Sequence, residues 1–322
     1  MMNLKRLIWV AVLLALLALP VASFAQDEGS TTAAYETFLS AEPMYGVVES
    51  VVGIDRDGLN MVGTLALPDG GEGPFPIVLL FHGFMGERDE LPIVGIESME
   101  GMYTRTARVL AGQGIASLRI EFIGSGESDG EWADTTFTSQ IDDAIAALDF
   151  VQTLDNIDGE RIGLIGLSQG GLVAASVAGR DPRIDSVVLW SAAASPTANF
   201  PGLIGQETFM EGLTNPEGVT FTLPWGEETT IHQAFFLDVY NVDPVAELSR
   251  FAGPVMAIGG LRDTTVFPQP YMNDLFLNNH DGPEMLVTVD GDHVFDVLTP
   301  EAGATVIDDV IAWSIAWLTQ TL

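Results

Sequence analysis

The stretch RIGLIGLSQGGLVAASVAG, Arg161–Gly179, decides the reading of this chain. Arg161–Leu167 has the length and aliphatic character of a buried strand, and Leu172–Ala178 is an alanine-rich apolar run that suits a buried helix. Between them lies Gly166-Leu167-Ser168-Gln169-Gly170-Gly171, a G-x-S-x-G pattern in the strand–turn–helix context that gives the pattern meaning. A turn that sharp leaves no room for neighbouring side chains, hence the glycines. It pushes the serine hydroxyl out at a helix N-terminus, where backbone N–H groups stabilise negative charge. Ile162–Gly179 carries no charge. Ser168, Gln169 and the glycines interrupt it, so it reads as strand plus helix rather than as a membrane span. Gly126-Glu127-Ser128-Asp129-Gly130 fits the same pattern. It lies in a polar loop with no apolar helix starting at the serine, so Ser128 is read as a decoy.

Outward from this stretch, apolar runs alternate with helical patterns. Gly46–Ile54 and Met61–Leu67 flank Asp57-Gly58, a hairpin signal. Ile77–Phe81, Ile115–Phe122, Val187–Trp190, Val255–Ile258 and Glu284–Val289 read as further strands. Met99–Gly112, the periodic apolar set Ile141–Val151 and Pro268–Leu277 read as helices. A last helix is expected to open at Thr299-Pro300-Glu301, as cap, first-turn proline and acid. Such alternation predicts an α/β domain over 44–322, a mostly parallel central sheet with helices on both faces. Ser195–Arg250 breaks the rhythm and is too long for a simple connection. It is read as an inserted lid (195–250) over the sheet edge where ligands bind in open α/β sheets. Trp225, Phe235, Phe236 and Tyr240 are its candidate substrate-binding residues.

A nucleophilic serine needs a base, and the base needs an orienting acid. His293, in Asp290-Gly291-Asp292-His293 after a predicted strand, is the candidate base. His82 is read as a structural residue of the loop after Ile77–Phe81, His232 as a surface or packing residue of the lid, and His280 as solvated. Asp263, after the run Val255–Arg262, is the candidate acid; Asp292 is too close in sequence to reach the far ring nitrogen. The order is then Ser168, Asp263, His293. The N–H groups of Phe84 and Gln169 are placed to form an oxyanion hole.

From about Ile77 to Leu318 the sequence resembles the α/β-hydrolases, and among them the bacterial feruloyl and cinnamoyl esterases. HGFMGE (82–87), LRIEFIGSGESDG (118–130), GLSQGGL (166–172), GGLRDTTV (259–266) and DGDHVF (290–295) carry the likeness. The resemblance implies the α/β-hydrolase fold, Phe84 and Gln169 as oxyanion donors, and a lid that holds the acyl pocket. Two departures stand out. Leu167 occupies the position before the nucleophile, where those esterases usually have histidine, and Glu87–Tyr103 is longer. The chemistry would be ester hydrolysis through an acyl-enzyme, with no metal or cofactor. A peptidase of prolyl-oligopeptidase or aminopeptidase type, an amidase and a thioesterase share the same elbow and triad.

Composition narrows the partners. With 12 Lys and Arg against 45 Asp and Glu, the chain carries −33. That excludes a basic nucleic-acid footprint and disfavours anionic lipid surfaces. There is no cysteine, which removes disulfides, thiolate metal sites and thiol nucleophiles. Apolar residues make up 47% of the chain, enough for a full core. Residues 1–25 read as a secretory signal peptide: Lys5 and Arg6, the apolar run Leu7–Leu19, then Ser23-Phe24-Ala25 before a cleavage at Gln26. Residues 26–43 read as a polar linker. The expected partner is a small-molecule ester met outside the cytoplasm, in the periplasm or the medium, with no stable membrane insertion once the signal is cleaved.

Overall fold

The computed structural model describes Tyr35 and residues 43–322, so the signal peptide and nearly all of the linker lie outside the described residues. The chain enters through the Asp-Gly hairpin. Asp57 and Gly58 take φ of 55° and 88°, the pair of positive angles that a two-residue turn between twisted strands demands. The turn pairs β1 (Gly46–Arg56) with β2 (Leu59–Asp69), antiparallel and in register from Gly46↔Asp69 to Arg56↔Leu59.

The remaining strands of the main sheet are β3 (Phe75–Phe81), β4 (Ala116–Ile120), β5 (Ile157–Leu167), β6 (Ser186–Trp190), β9 (Val255–Gly260) and β10 (Glu284–Val289). Their order is β1-β2-β4-β3-β5-β6-β9-β10. β2 meets β4 antiparallel; every neighbouring pair from β4 to β10 is parallel. The winding reverses beside β3, because the chain steps outward to β4 and then returns to β5 on the other side. That reversal opens a crevice at the carboxyl ends of β3 and β5, the place where such sheets bind ligands.

Both faces of the sheet are covered, which explains the continuous apolar strands. In β3, Ile77, Leu79 and Phe81 point into one core cluster, and Val78 and Leu80 into the other. The first cluster also takes side chains from the helices Phe137–Val151 and Gln169–Arg180; the second, from Met102–Gly112 and Thr305–Thr321. Trp190 crosses this second layer to donate its Nε1–H to Ser314 Oγ at 2.9 Å.

Three helix starts differ from expectation; the helix read over Pro268–Leu277 begins at Tyr271. The helix read from Met99 begins at Met102, with Met99 itself at a φ of 45°. The last helix begins at Thr305 and not at the Thr299-Pro300-Glu301 cap. Residues 299–305 instead form successive turns, through Ala302 N–H to Thr299 O and Thr305 N–H to Ala302 O. The chain from Val94 to Gly95 lies against Val297 and Pro300 there, and this tertiary contact overrides the local helix signal.

The insertion 195–250 is folded throughout. Helices Pro196–Ile204 and Gln206–Thr214 lead into a hairpin of β7 (Val219–Thr222) and β8 (Glu228–Ile231), then into helices Gln233–Asp238 and Pro244–Leu248. The hairpin is tied to the turn at Trp132–Asp134: His232 N–H donates to Ala133 O, His232 Nδ1 meets Asp134 Oδ1 at 2.8 Å, and Trp132 Nε1–H donates to Thr229 Oγ1. The last of these helices packs back on the helix after Ser168, with Glu247 O filling the space where a Gly179 side chain would begin.

Candidate active site

Ser168 sits between β5 and the helix Gln169–Arg180 at φ 54°, ψ −113°. That region costs a residue other than glycine about 1–3 kcal/mol, and persists only where the surroundings fix it. They do. Ser168 N–H donates to Trp190 O, and Ser168 O accepts from Leu172 and Ala193. A Cβ on Gly166 would lie 2.2 Å from Gly170 O, and one on Gly170 would lie 2.0 Å from Phe81 O. The glycines of the motif are there because β3, β5 and the helix meet without room for a methyl group.

His293 follows β10 and Asp263 follows β9, two neighbouring parallel strands that bring both loops to the same sheet edge. His293 Nδ1 donates to Asp263 Oδ2 at 2.8 Å. Asp263 is 6% exposed, and its Oδ1 accepts from Thr265 N–H at 2.7 Å and Val266 N–H at 2.9 Å. Asp292 turns away, spending its Oδ1 on the N–H groups of Val294 and Asp296. Ser168 and His293 both line a cavity of about 370 Å³. Ser168 Oγ has no hydrogen-bond partner among the described residues; apo sites of this type often tighten only around substrate.

The sheet order also sets the oxyanion loop beside the serine. Phe81 pairs with Gly166, and a Cβ built on Gly83 would stand 3.7 Å from Ser168 Cβ. The N–H groups of Phe84 and Gln169 have no hydrogen-bond partner among the described residues, and Gln169 is the first residue of its helix, where N–H groups lack intrahelical acceptors. His82 is fully buried and fixes the loop. Its Nδ1–H donates to Gly83 O at 2.8 Å, and Nε2 accepts from Phe122 N–H at 3.3 Å. Burial lowers its pKa to about 4, against a smaller opposing effect of the Gly83 bond, so the ring is neutral.

Of the four aromatic residues expected to meet substrate, Trp225 alone lines the cavity, at the tip of the lid hairpin. Phe235 and Phe236 are 0% exposed and line no part of the cavity, a correction to the sequence reading: Phe235 joins the inserted segment to the main core, and Phe236 packs within the segment. Phe235 packs on Phe84, Phe137 and Phe200, while Phe236 packs on Phe209 over Gly212. Tyr240 is 62% exposed, packs on Phe209, and lies outside the cavity wall. His280, expected in solvent, is buried: Nε2–H donates to Gly253 O, and Nδ1 accepts from Gly282 N–H. Ser128 is buried as well, bridging Glu121 O and Val62 N–H, so the decoy motif closes a loop onto β2. The cavity wall also includes Met85 and Thr264, from the stretches HGFMGE and GGLRDTTV, and Glu90, Leu203 and Leu298, which no motif marks in the sequence.

The strand order, the elbow at the end of β5 and the Asp–His pair from the last two strands, β9 and β10, define the α/β-hydrolase fold, and the chain has that fold. A family model described as serine aminopeptidase, S33, matches residues 92–224, less than half of the chain. Among curated proteins, the chain is 31% identical over 199 residues to an Escherichia coli "Uncharacterized 31.7 kDa protein in traX-finO intergenic region", across 62% of this chain and 56% of that protein. It is 32% identical over 125 residues to "Putative hydrolase YtaP" of Bacillus subtilis, across 35% of this chain and 42% of that one. The chain thus spans about half the length of the curated relatives it matches. Among solved structures, Est1E from Butyrivibrio proteoclasticus with ferulic acid bound is similar at a TM-score of 0.66 and 23% identity, covering 83% of this chain and 99% of Est1E.

Proposed function

We propose that this protein is a serine carboxylic-ester hydrolase that works through an acyl-enzyme. One observation carries the reading. A strained, cavity-lining Ser168 shares its cavity with a His293 whose far nitrogen is held by buried Asp263. Ser168 Oγ attacks the ester carbonyl, and His293 Nε2 takes its proton. The tetrahedral oxyanion receives the N–H groups of Phe84 and Gln169. His293 returns the proton to the leaving alcohol, and water then repeats the sequence on the acyl-enzyme. The cavity, about 370 Å³, suits a small acyl group, and Trp225, Leu203 and Leu298 give it apolar surface. The bound ferulic acid of Est1E supports a hydroxycinnamoyl acyl group as one candidate. A panel of acetyl, long-alkyl and hydroxycinnamoyl esters tests the reading; hydrolysis of none of them would sink it.

A peptidase is the second reading, favoured by the description of the matching family model. An aminoacyl p-nitroanilide cleaved faster than a p-nitrophenyl ester would establish it. The reading also includes export through residues 1–25. Protein recovered from outside the cytoplasm should begin at Gln26, and an unprocessed Met1 terminus there would count against it.

Two lid variants separate contact from scaffolding. Trp225→Ala should shift the kcat/KM ratio of a hydroxycinnamoyl to an acetyl ester by about 1–3 kcal/mol equivalent, with folding intact. Phe235→Ala should instead lower the unfolding free energy by roughly 3–5 kcal/mol, the usual loss for a buried phenylalanine. An unchanged substrate ratio in Trp225→Ala would mean that the hairpin tip does not touch the acyl group.

A further inference from the structure

We infer that Glu90, delivered by the segment Glu87–Tyr103, is a positioning residue that holds the oxyanion loop in its donor-presenting shape. This rests on the esterase reading above. Glu90 Oε2 accepts from Gly83 N–H at 2.8 Å, one residue before the Phe84 N–H assigned to the oxyanion. Gly86 N–H donates to Gly83 O, so Gly83 is gripped on both sides. A Cβ on Gly86 would fall 2.8 Å from Glu90 Oε2: the carboxylate fills the space that the missing side chain leaves.

Glu90 itself adopts a φ of 56°, a left-handed backbone uncommon for glutamate. Its neighbours impose that shape. Tyr103 N–H donates to Asp89 O and Met102 N–H to Leu91 O, while Ile93 N–H donates to Glu100 O. The chain on both sides of Glu90 is therefore pinned to the start of the helix Met102–Gly112. The same segment reaches the other half of the site. Val94 N–H donates to Val297 O, four residues beyond His293, and Gly95 abuts Pro300 O. Glu87–Tyr103 is thus a strap between the oxyanion loop and the histidine loop, and Glu90 is its contact with the first.

The bond from Gly83 N–H to a carboxylate is charge-assisted and stronger than one to a neutral oxygen. Burial, with a smaller push from Glu87, raises the carboxyl pKa to about 7 against the Gly83 and Leu91 N–H bonds that lower it. Tyr103 packs from the helix, and Glu227, Asp292 and His293 share the cavity wall with Glu90. The charge is present above that pKa and is lost as pH falls through it.

Oxyanion donors act on the transition state more than on bound substrate. Glu90→Ala should therefore lower kcat roughly 10- to 100-fold with KM little changed, somewhat less than the outright loss of a donor. Its affinity for a trifluoromethyl ketone, which forms a tetrahedral oxyanion on Ser168, should fall by the same factor. Inhibition by an ether isostere of the substrate should not change. A folded Glu90→Ala protein with wild-type kcat, or with both inhibitors weakened equally, would overturn the inference. Where Glu90→Ala does not fold, Glu90→Gln decides. The amide accepts from Gly83 but does not titrate, so its kcat relative to wild type should rise toward one as pH drops from about 9 to about 6. A ratio constant across that range overturns the inference. Failure of the esterase reading looks different: wild-type protein would hydrolyse no ester and would not react with a fluorophosphonate.

Discussion

Ser168→Ala should leave a folded protein that has lost roughly 10⁴–10⁶ of its esterase kcat and no longer takes up a fluorophosphonate. The loss is large because, in the proposed reaction, the Ser168 hydroxyl forms the covalent bond to substrate. It is confined to chemistry because Ser168 Oγ makes no hydrogen bond that holds the fold; the residue is held by its backbone, through Trp190 O, Leu172 and Ala193. A small residual rate above that of water is expected from the Phe84 and Gln169 N–H groups. Ser128→Ala should show the reverse pattern. Its hydroxyl is buried between Glu121 O and Val62 N–H, so its removal costs stability, about 1–3 kcal/mol, and leaves turnover largely in place. Rates and thermal unfolding of the two variants, measured side by side, check the assignment. An inactive Ser128→Ala with an active Ser168→Ala would reverse it.

Much of this site was legible because its geometry is written in short, local patterns. Gly166 and Gly170 are forced because a Cβ on either would fall 2.2 or 2.0 Å from a backbone oxygen, so the elbow survives as text. Asp263 and His293 each follow a buried apolar strand, and parallel strands deliver their next loops to one edge. The segment 195–250 was legible as a break in the strand–helix rhythm, but not in its detail. Trp225, Phe235, Phe236 and Tyr240 are all aromatic residues within sixteen positions, and nothing local tells which faces the cavity. Phe236 is buried because Gly212, on another helix, leaves it room. The Thr299-Pro300-Glu301 signal failed for the same reason: a contact with Gly95, some two hundred residues earlier, occupies the chain there. His280 looked solvated among polar neighbours, yet Gly253 and Gly282 supply partners that let it be buried. Glu90 stood unmarked among four charged residues in Glu87–Glu90. Only the fold singles it out, by closing the loop back on Gly83.

Asp263→Asn should lower kcat by about 10⁴ while the fold is kept, and the reason lies in the two hydrogen bonds that do not touch His293. Asp263 Oδ1 accepts from Thr265 and Val266 N–H. An asparagine must keep its single carbonyl oxygen there to satisfy those buried donors, which turns its NH₂ toward His293 Nδ1. The imidazole can then meet it only as an acceptor at Nδ1, which places the ring proton on Nε2. That is the nitrogen that has to take the proton of Ser168. The substitution thus stores the histidine in the wrong tautomer and also removes the charge that stabilises the imidazolium formed during attack. Asp292→Asn is the internal control, because Asp292 accepts from Val294 and Asp296 N–H through one oxygen, which asparagine retains. Its kcat should stay close to wild type. Steady-state kinetics on one p-nitrophenyl ester, with circular dichroism to confirm folding, distinguish the two. Equal losses in both variants would leave His293 without an assigned acid, and a fully active Asp263→Asn would remove Asp263 from the triad.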